Sequence, residues 1–555
     1  MLDSMGNGWC FFLECSAFIL LAGCESNADL FATGGASGTS TSSSGGTASG
    51  GNGTGGSACV PNLVESCYSG PAETEGVGTC KAGLRACDAA GTGFGPCRGE
   101  VTPAREECAT PQDEDCNGIA ESCTPGATVW AKKFGNPTPS EGAGEGVAIA
   151  SDSAGNVLVF GNAGPDISFG GATLSAVGSL DVVLAKLNPS GAHLWSKRFG
   201  YSAHASDMAV APDGSVWITG YFSAAGIVDF GGGPLVGLGS EDNLYIAKFD
   251  PQGAHLFSAR YEAGPPMAID VDALGAVFVT GQFQQVPIDF GGGPLVPAGG
   301  ADIFVVKFTA QGSHVWSKAF GNSGSQIPDS LDVDASGNVI VAGQANGQLS
   351  IGGAPLPPSG AFVAKFTSNG DHVWSQGFGG SPNTVVPIYV AAGPSNNVFL
   401  AGGITTSVSF GGGALPFAGG TVDAFLAKLS PSGSHLWSKS FGSAGVQQGT
   451  AVASDGAENV LFSIYLLDGS VDLGGGSLTS AGGGDVVLAK LTSAGDHAFS
   501  IRAGDTALQL ARGITADPSG YTLATGRFSG TLDFGTGPLT SLGNGFDLFV
   551  VKLEP

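Results

Sequence analysis

A unit of about 61 residues repeats seven times between residues 127 and 555, and so regular a period means an array of small units that share one core. A lysine at the end of an apolar run marks each copy: Ala185-Lys186-Leu187, Ala247-Lys248-Phe249, Val306-Lys307-Phe308, Ala364-Lys365-Phe366, Ala427-Lys428-Leu429, Ala489-Lys490-Leu491 and Val551-Lys552-Leu553. The lysines stand 58 to 63 residues apart. A Trp-Ser-Lys-like strand recurs with the same count, as in LWSKRFG (194–200) and VWSKAFG (315–321), and so does a glycine-rich turn, as in DFGGGPL (229–235 and 289–295). Short runs of β-forming residues between Gly, Asp and Asn turns predict four strands per unit and no helices.

Four-stranded units repeated radially make a propeller. The phase of the array predicts how it closes. It opens on an isolated Trp-type strand, Val129 to Phe134, and stops after an isolated Lys-type strand, Asp547 to Leu553. In every other copy these two strands follow one another, so the first should complete the blade that the last begins and leave no open sheet edge. The expected fold is therefore all-β: a seven-bladed β-propeller of four-stranded blades over 127–555, closed by its N-terminal strand and preceded by a small disulfide-rich module. On the pattern D-x-h-h-h-A-K-h…G…W…F-G and D-x-x-G-N-h-h-h-x-G, carried by all seven copies, the chain resembles the seven-bladed β-propeller repeat (SBBP-type) family of bacterial exported proteins. The resemblance implies a fold and a surface location and no single activity.

Ahead of the array the cysteines are unevenly spread. Cys59, Cys67, Cys80, Cys87, Cys97, Cys108, Cys116 and Cys123 crowd into a segment, 59–126, that has few large apolar side chains, and none follows in the last 432 residues. Their separations of seven to thirteen residues include no pair spaced to grip zinc, so disulfides in an oxidising compartment are the expectation, with the connectivity left open. Inside the segment, Asp113, Asp115, Asn117 and Gly118 match the first half of a calcium loop, with Glu121 at its ninth position and Thr124 where a bidentate Glu belongs. The stretch 107–123 is similar to a cysteine-rich motif of bacterial surface proteins, which implies calcium held by Asp113, Asp115, Asn117 and Glu121. The alternative is a solvated turn closed by disulfides. No other cofactor is expected.

Residues 25–58 form a Gly/Ser/Thr-rich linker that cannot bury a core. Before it, the apolar run Ser16–Ala22 ends in Leu21-Ala22-Gly23-Cys24, which resembles a bacterial lipobox closing a signal segment, 1–24. That resemblance implies lipidation of Cys24 and a lipid anchor to the outer membrane or cell surface, or secretion. The apolar run is too short to span a bilayer, and the segment carries no Lys or Arg, the chain's first basic residue being Lys81. A chance Leu-Ala-Gly-Cys is the other reading.

A net charge of −26, with 21 basic and 47 acidic residues, argues against nucleic acid as a partner. Six of the seven histidines, His193, His255, His314, His372, His435 and His497, share one repeat position and read as framework; His204 stands outside the repeat and reads as a solvated loop residue. The aromatics at the Trp position should pack between blades. Asp181, Asp302, Asp423, Asp485 and Asp547, five residues before the lysine, should form interstrand salt bridges. The Asp-Phe-Gly triplets at 229, 289 and 533 read as turns. No G-x-S-x-G, H-E-x-x-H or P-loop occurs in the array, and the acidic pair Glu141 and Glu145 stands alone in the loops between repeats. The chain is therefore expected to be no enzyme but a monomeric binding or display scaffold for a protein or glycan. The competing hypothesis is a propeller hydrolase or lyase with its site at the channel mouth.

Overall fold

The computed structural model describes residues 59–103, 124–135, 144–541 and 545–555, except 165, 240, 241, 263, 380 and 382, together with 112, 113, 116 and 118. Lipidation at Cys24, the linker, Glu141, Asp115, Asn117, Glu121, Cys108 and Cys123 lie outside the described residues. The described residues fall into two compact units: 59–66 with 84–98, and 67–83 with 99–555. No helix among them is long and apolar enough to cross a membrane.

The second unit carries seven antiparallel four-stranded sheets. Blade 1 runs outward from its inner strand Gly144–Ser151 through Val157–Ala163 and Asp181–Leu187 to the outer strand His193–Phe199. Blades 2 to 6 repeat this order, with inner strands Ala203–Val210, Pro266–Val271, Gln326–Val333, Val385–Ala392 and Gln447–Ser454. The third strand of every blade is buried at all seven positions, which explains why runs such as DVVLAKL are continuously apolar instead of alternating. The glycine-rich segment does more than turn. In blade 2 it folds into a two-stranded hairpin, Ile227–Asp229 against Pro234–Val236, where Asp229 Oδ1 accepts the Gly231 and Gly233 N–H groups.

Blade 7 closes the ring in the expected way. Its inner strand Gln509–Ala516, second strand Thr522–Phe528 and third strand Asp547–Leu553 come from the C-terminal end, and its outer strand Thr128–Phe134 comes from the start of the array. The outer strands carry a one-residue bulge that leaves Val129, Leu194, Leu256, Val315, Val373 and Leu436 exposed, a device that discourages edge-to-edge pairing.

The periodic residues bind blade to blade. Trp130 Nε1 donates to the Pro189 carbonyl of the next blade at 3.0 Å, and Trp195, Trp316, Trp374 and Trp437 make the same bond at 2.9–3.1 Å. Each aromatic lies over the turn glycine of that neighbour, such as Gly253 under Trp195, whose φ of 81° and close approach leave no room for a Cβ. The lysines are buried against a turn carboxylate of their own blade: Lys186–Asp152 at 2.8 Å, Lys365–Asp334 at 2.6 Å, Lys490–Asp455 at 2.8 Å and Lys552–Asp517 at 2.7 Å. Lys186 Nζ also donates to the Pro251 carbonyl and Lys248 Nζ to Ala310, each in the next blade.

The first unit, 59–66 with 84–98, is stapled by Cys59–Cys87, and Cys80–Cys116 crosslinks residues of the second. Cys67 and Cys97 are disulfide-bonded as well. Thiol titration of the denatured, unreduced mature protein is expected to return no free thiol; two or more reactive thiols would contradict a fully bridged segment.

Candidate central-channel site

The seven inner strands surround a cavity of about 300 Å³ to which every blade contributes, from Val147 and Asp207 round to Arg512. Each inner strand carries a bulge near its start, as between Ala205 and Asp207 or Ala511 and Gly513. The bulge presses the inner strand onto the second strand, which has glycine opposite it in six blades. At Gly220 a Cβ would run into the His204 carbonyl. A bulge also re-aims side chains, so Asp329 and Arg512, the extra residues of blades 4 and 7, stand at a point where the strand departs from its ladder.

Four carboxylates on these strands brace neighbouring blades. Asp207 Oδ2 accepts the Ile269 N–H at 3.0 Å, Asp270 Oδ2 that of Val333 at 2.7 Å, Asp329 Oδ2 that of Ile388 at 3.1 Å and Asp332 Oδ2 that of Ala392 at 2.8 Å. Every donor belongs to the next inner strand. Protein surrounds these groups while water reaches them along the channel. Burial pushes the Asp207 and Asp329 carboxyls up to about 7, and it raises Asp270 and Asp332, which also hydrogen-bond to each other.

One mouth of the channel is where the blades stop resembling each other. At the second position of the inner strands and the residue opposite it, the pairs are Glu145 with Asn162, His204 with Tyr221, Ile327 with Gln344, Gln448 with Tyr465, and Leu510 with Arg527. His204 is thus a strand residue, not a loop residue. Its ring lies flat on Tyr221 at 4.6 Å, and burial lowers its pKa although Asp242 opposes the shift. Tyr389, beside Asp329 and Arg512, is pushed up to about 12 by burial. Glu145 does not stand alone either. Its Oε1 accepts from Arg512 Nε at 2.7 Å and lies 3.7 Å from Arg527 Nε, and the Arg527 guanidinium sits 4.6 Å above the Phe546 ring.

The other sequence candidates resolve into framework. Each periodic histidine shares a hydrogen bond with the serine three residues on, at 3.0–3.2 Å, around the ring and never converging. Asp113, the one described member of the calcium set, accepts the Gly118 N–H through Oδ2. Among the carboxylates before the lysine, Asp181 pairs with Arg198, Asp485 with Arg502 and Asp547 with Lys133. The salt-bridge expectation fails for Asp302 and Asp423. Their outer strands have Ala319 and Ser440 where Arg198 stands in blade 1, so these carboxylates accept the Ala298 and Ala418 N–H groups and leave Oδ1 buried without a partner among the described residues. Burial accordingly raises both pKa values. Asp302→Asn is therefore expected to leave thermal stability at pH 8 unchanged or higher, whereas Asp181→Asn takes the counter-charge from a buried Arg198 that keeps backbone carbonyls and is expected to cost about 3 kcal/mol. Equal losses in the two melting curves would contradict this assignment.

Searching for intruders only in loops misses this mouth. The signal that finds it is departure from the repeat within the inner strands.

Neither a family model nor a curated protein matches the chain. Among solved structures, a propeller of Dos1 is similar at 10% identity, covering 77% of this chain and 95% of that one with a TM-score of 0.37. YCF48 from Cyanidioschyzon merolae is similar at 12% identity, 77% and 99% coverage and a TM-score of 0.35. A gluconolactonase from Xanthomonas campestris is similar at 11% identity, 78% and 99% coverage and a TM-score of 0.30. Likeness of this degree transfers neither ligand nor activity, and the architecture rests on the strand pairing itself.

Proposed function

We propose that the chain is an exported surface protein, anchored through Cys24, that binds a protein or glycan partner at the mouth of its central channel and turns nothing over. The observation that carries this reading is the contrast between channel and mouth. The carboxylates inside the channel are committed to the backbone of the next blade, while the residues that differ between blades gather at one rim. A framework can repeat itself; a ligand site has to break the repeat. The disulfides fit an oxidising compartment outside the cytosol. Calcium seated by Asp113, Asp115, Asn117 and Glu121 is a separate proposal, supported if a chelator lowers the melting temperature and opposed if it does not.

An unbiased glycan array and a pull-down, run beside a broad hydrolase and lyase screen on one preparation, test the main reading. Binding without turnover is the expected result. Turnover that disappears on Glu145→Gln or Glu141→Gln would replace it with the enzyme reading.

A further inference from the structure

We propose that the mouth between blades 7 and 1 takes an acidic saccharide, whose carboxylate or sulfate group sits against Arg527 and Arg512 in place of Glu145. The inference rests on the binding reading above and names its ligand class. The arginines come first. Arg198 and Arg502 occupy a repeat position and pair with a repeat aspartate, whereas Arg512 and Arg527 stand where no other blade has a basic residue. In a chain of net charge −26 these two meet on one carboxylate oxygen, Glu145 Oε1.

The fit there is incomplete. Arg527 Nε is buried and has no hydrogen-bond acceptor among the described residues, since Glu145 lies 3.7 Å away, beyond bonding reach. Phe546 beneath the guanidinium restrains it from swinging aside to find one. A buried donor without an acceptor is costly, and an incoming oxyanion would supply that acceptor with a charge-assisted bond. Arg512 lines the channel itself, so the seat opens directly onto the cavity.

The rest of the rim selects the ligand's body. Gln448 brings an amide donor and acceptor, and Tyr221, flat against His204, brings an aromatic surface. Amides and aromatic faces together suit a hydroxyl-rich ring with apolar C–H faces. A cavity of about 300 Å³ lies at the small end of ligand sites, which fits one terminal sugar ring entering rather than a folded partner.

Calorimetric titration of the full chain with trigalacturonate, with a sulfated disaccharide and with neutral maltotriose tests the proposal. At least one acidic probe is expected to bind about tenfold or more tighter than maltotriose and to weaken as salt is raised. The probe that binds identifies the source of the oxyanion. Arg527→Gln is expected to lose about tenfold at an unchanged melting temperature, with Arg527→Lys intermediate. Glu145→Gln removes the competing carboxylate and is expected to tighten binding, an effect that a purely bracing role for Glu145 would not produce. Failure of both acidic probes, or binding indifferent to Arg527→Gln and Glu145→Gln, overturns the proposal. Tight maltotriose binding that these variants weaken would overturn the acidic ligand and leave the mouth as a binding site.

Discussion

A chain that starts at Asn136 is expected to aggregate and to melt far below the intact protein, although it lacks only the first few residues of the propeller. The strand Thr128–Phe134 is the outer strand of blade 7, in register with Leu548–Leu553. Without it, that third strand exposes a full edge of unpaired N–H and C=O groups, a template for pairing with another chain. The lost contacts also reach the neighbouring blade. Phe134 is buried with its ring 4.9 Å from Phe169, and Trp130 donates to Pro189, both in blade 1. Two aromatic anchors at about 3–5 kcal/mol each amount to the greater part of a typical domain's stability. Light scattering and thermal melts read the outcome, and adding a peptide of residues 127–135 should restore part of it. An unchanged midpoint and unchanged monodispersity would refute closure by this strand.

Asp334→Ala is expected to be the most damaging single substitution away from the seam, at about 3–5 kcal/mol, because it leaves Lys365 buried without its partner. The Lys365–Asp334 pair is 2.6 Å long with side chains 3% and 0% exposed, and Asp334 also accepts from the Ser336 and Asn338 N–H groups and from Asn338 Nδ2. Burial alone would push this carboxyl up, but Lys365 and Asn338 outweigh it and hold it below the usual carboxylate range. Asp152 and Asp455 are held down in the same way. Their contribution is complete above about pH 4 and is lost as pH falls through their lowered folded values. Asp207 and Asp329 act in the opposite sense. With folded values of about 7, the folded state keeps protons that the unfolded chain releases, so stability grows as pH falls from about 8 towards 5. The melting temperature is expected to rise across that interval and to fall steeply below about pH 4. In Asp207→Asn with Asp329→Asn, the rise between pH 8 and 5 should shrink while the acid limb stays.

The blade count, the four-strand unit and the closing strand were readable from the sequence because each rests on periodicity, and a period of about 61 residues survives drift at single positions. The periodic histidines, tryptophans and lysines were readable as framework for the same reason. Partners were harder to read. The aspartates five residues before the lysine were expected in interstrand salt bridges with no partner named, and the lysines turn out to pair instead with turn aspartates such as Asp334. Asp302 and Asp423 lack their cation because Ala319 and Ser440 replace it, a correlation visible only once the third and outer strands are placed side by side. The mouth was missed because Glu145, His204, Arg512 and Arg527 lie from 15 to several hundred residues apart and meet only after the bulges and ring closure set their register.

Grafting the residues of sister blades onto the mouth tests the central claim most directly. Arg512→Thr, His204→Gln, Tyr221→Gln and Arg527→Gln place there the side-chain types that other blades already carry at Thr450, Gln448, Gln282 and Gln344. Glycan-array and pull-down profiles would then be compared between this fourfold variant and the wild type at matched melting temperature. Loss of the wild-type partner with the fold intact is the result expected if the mouth is the ligand site; an unchanged binding profile would contradict it.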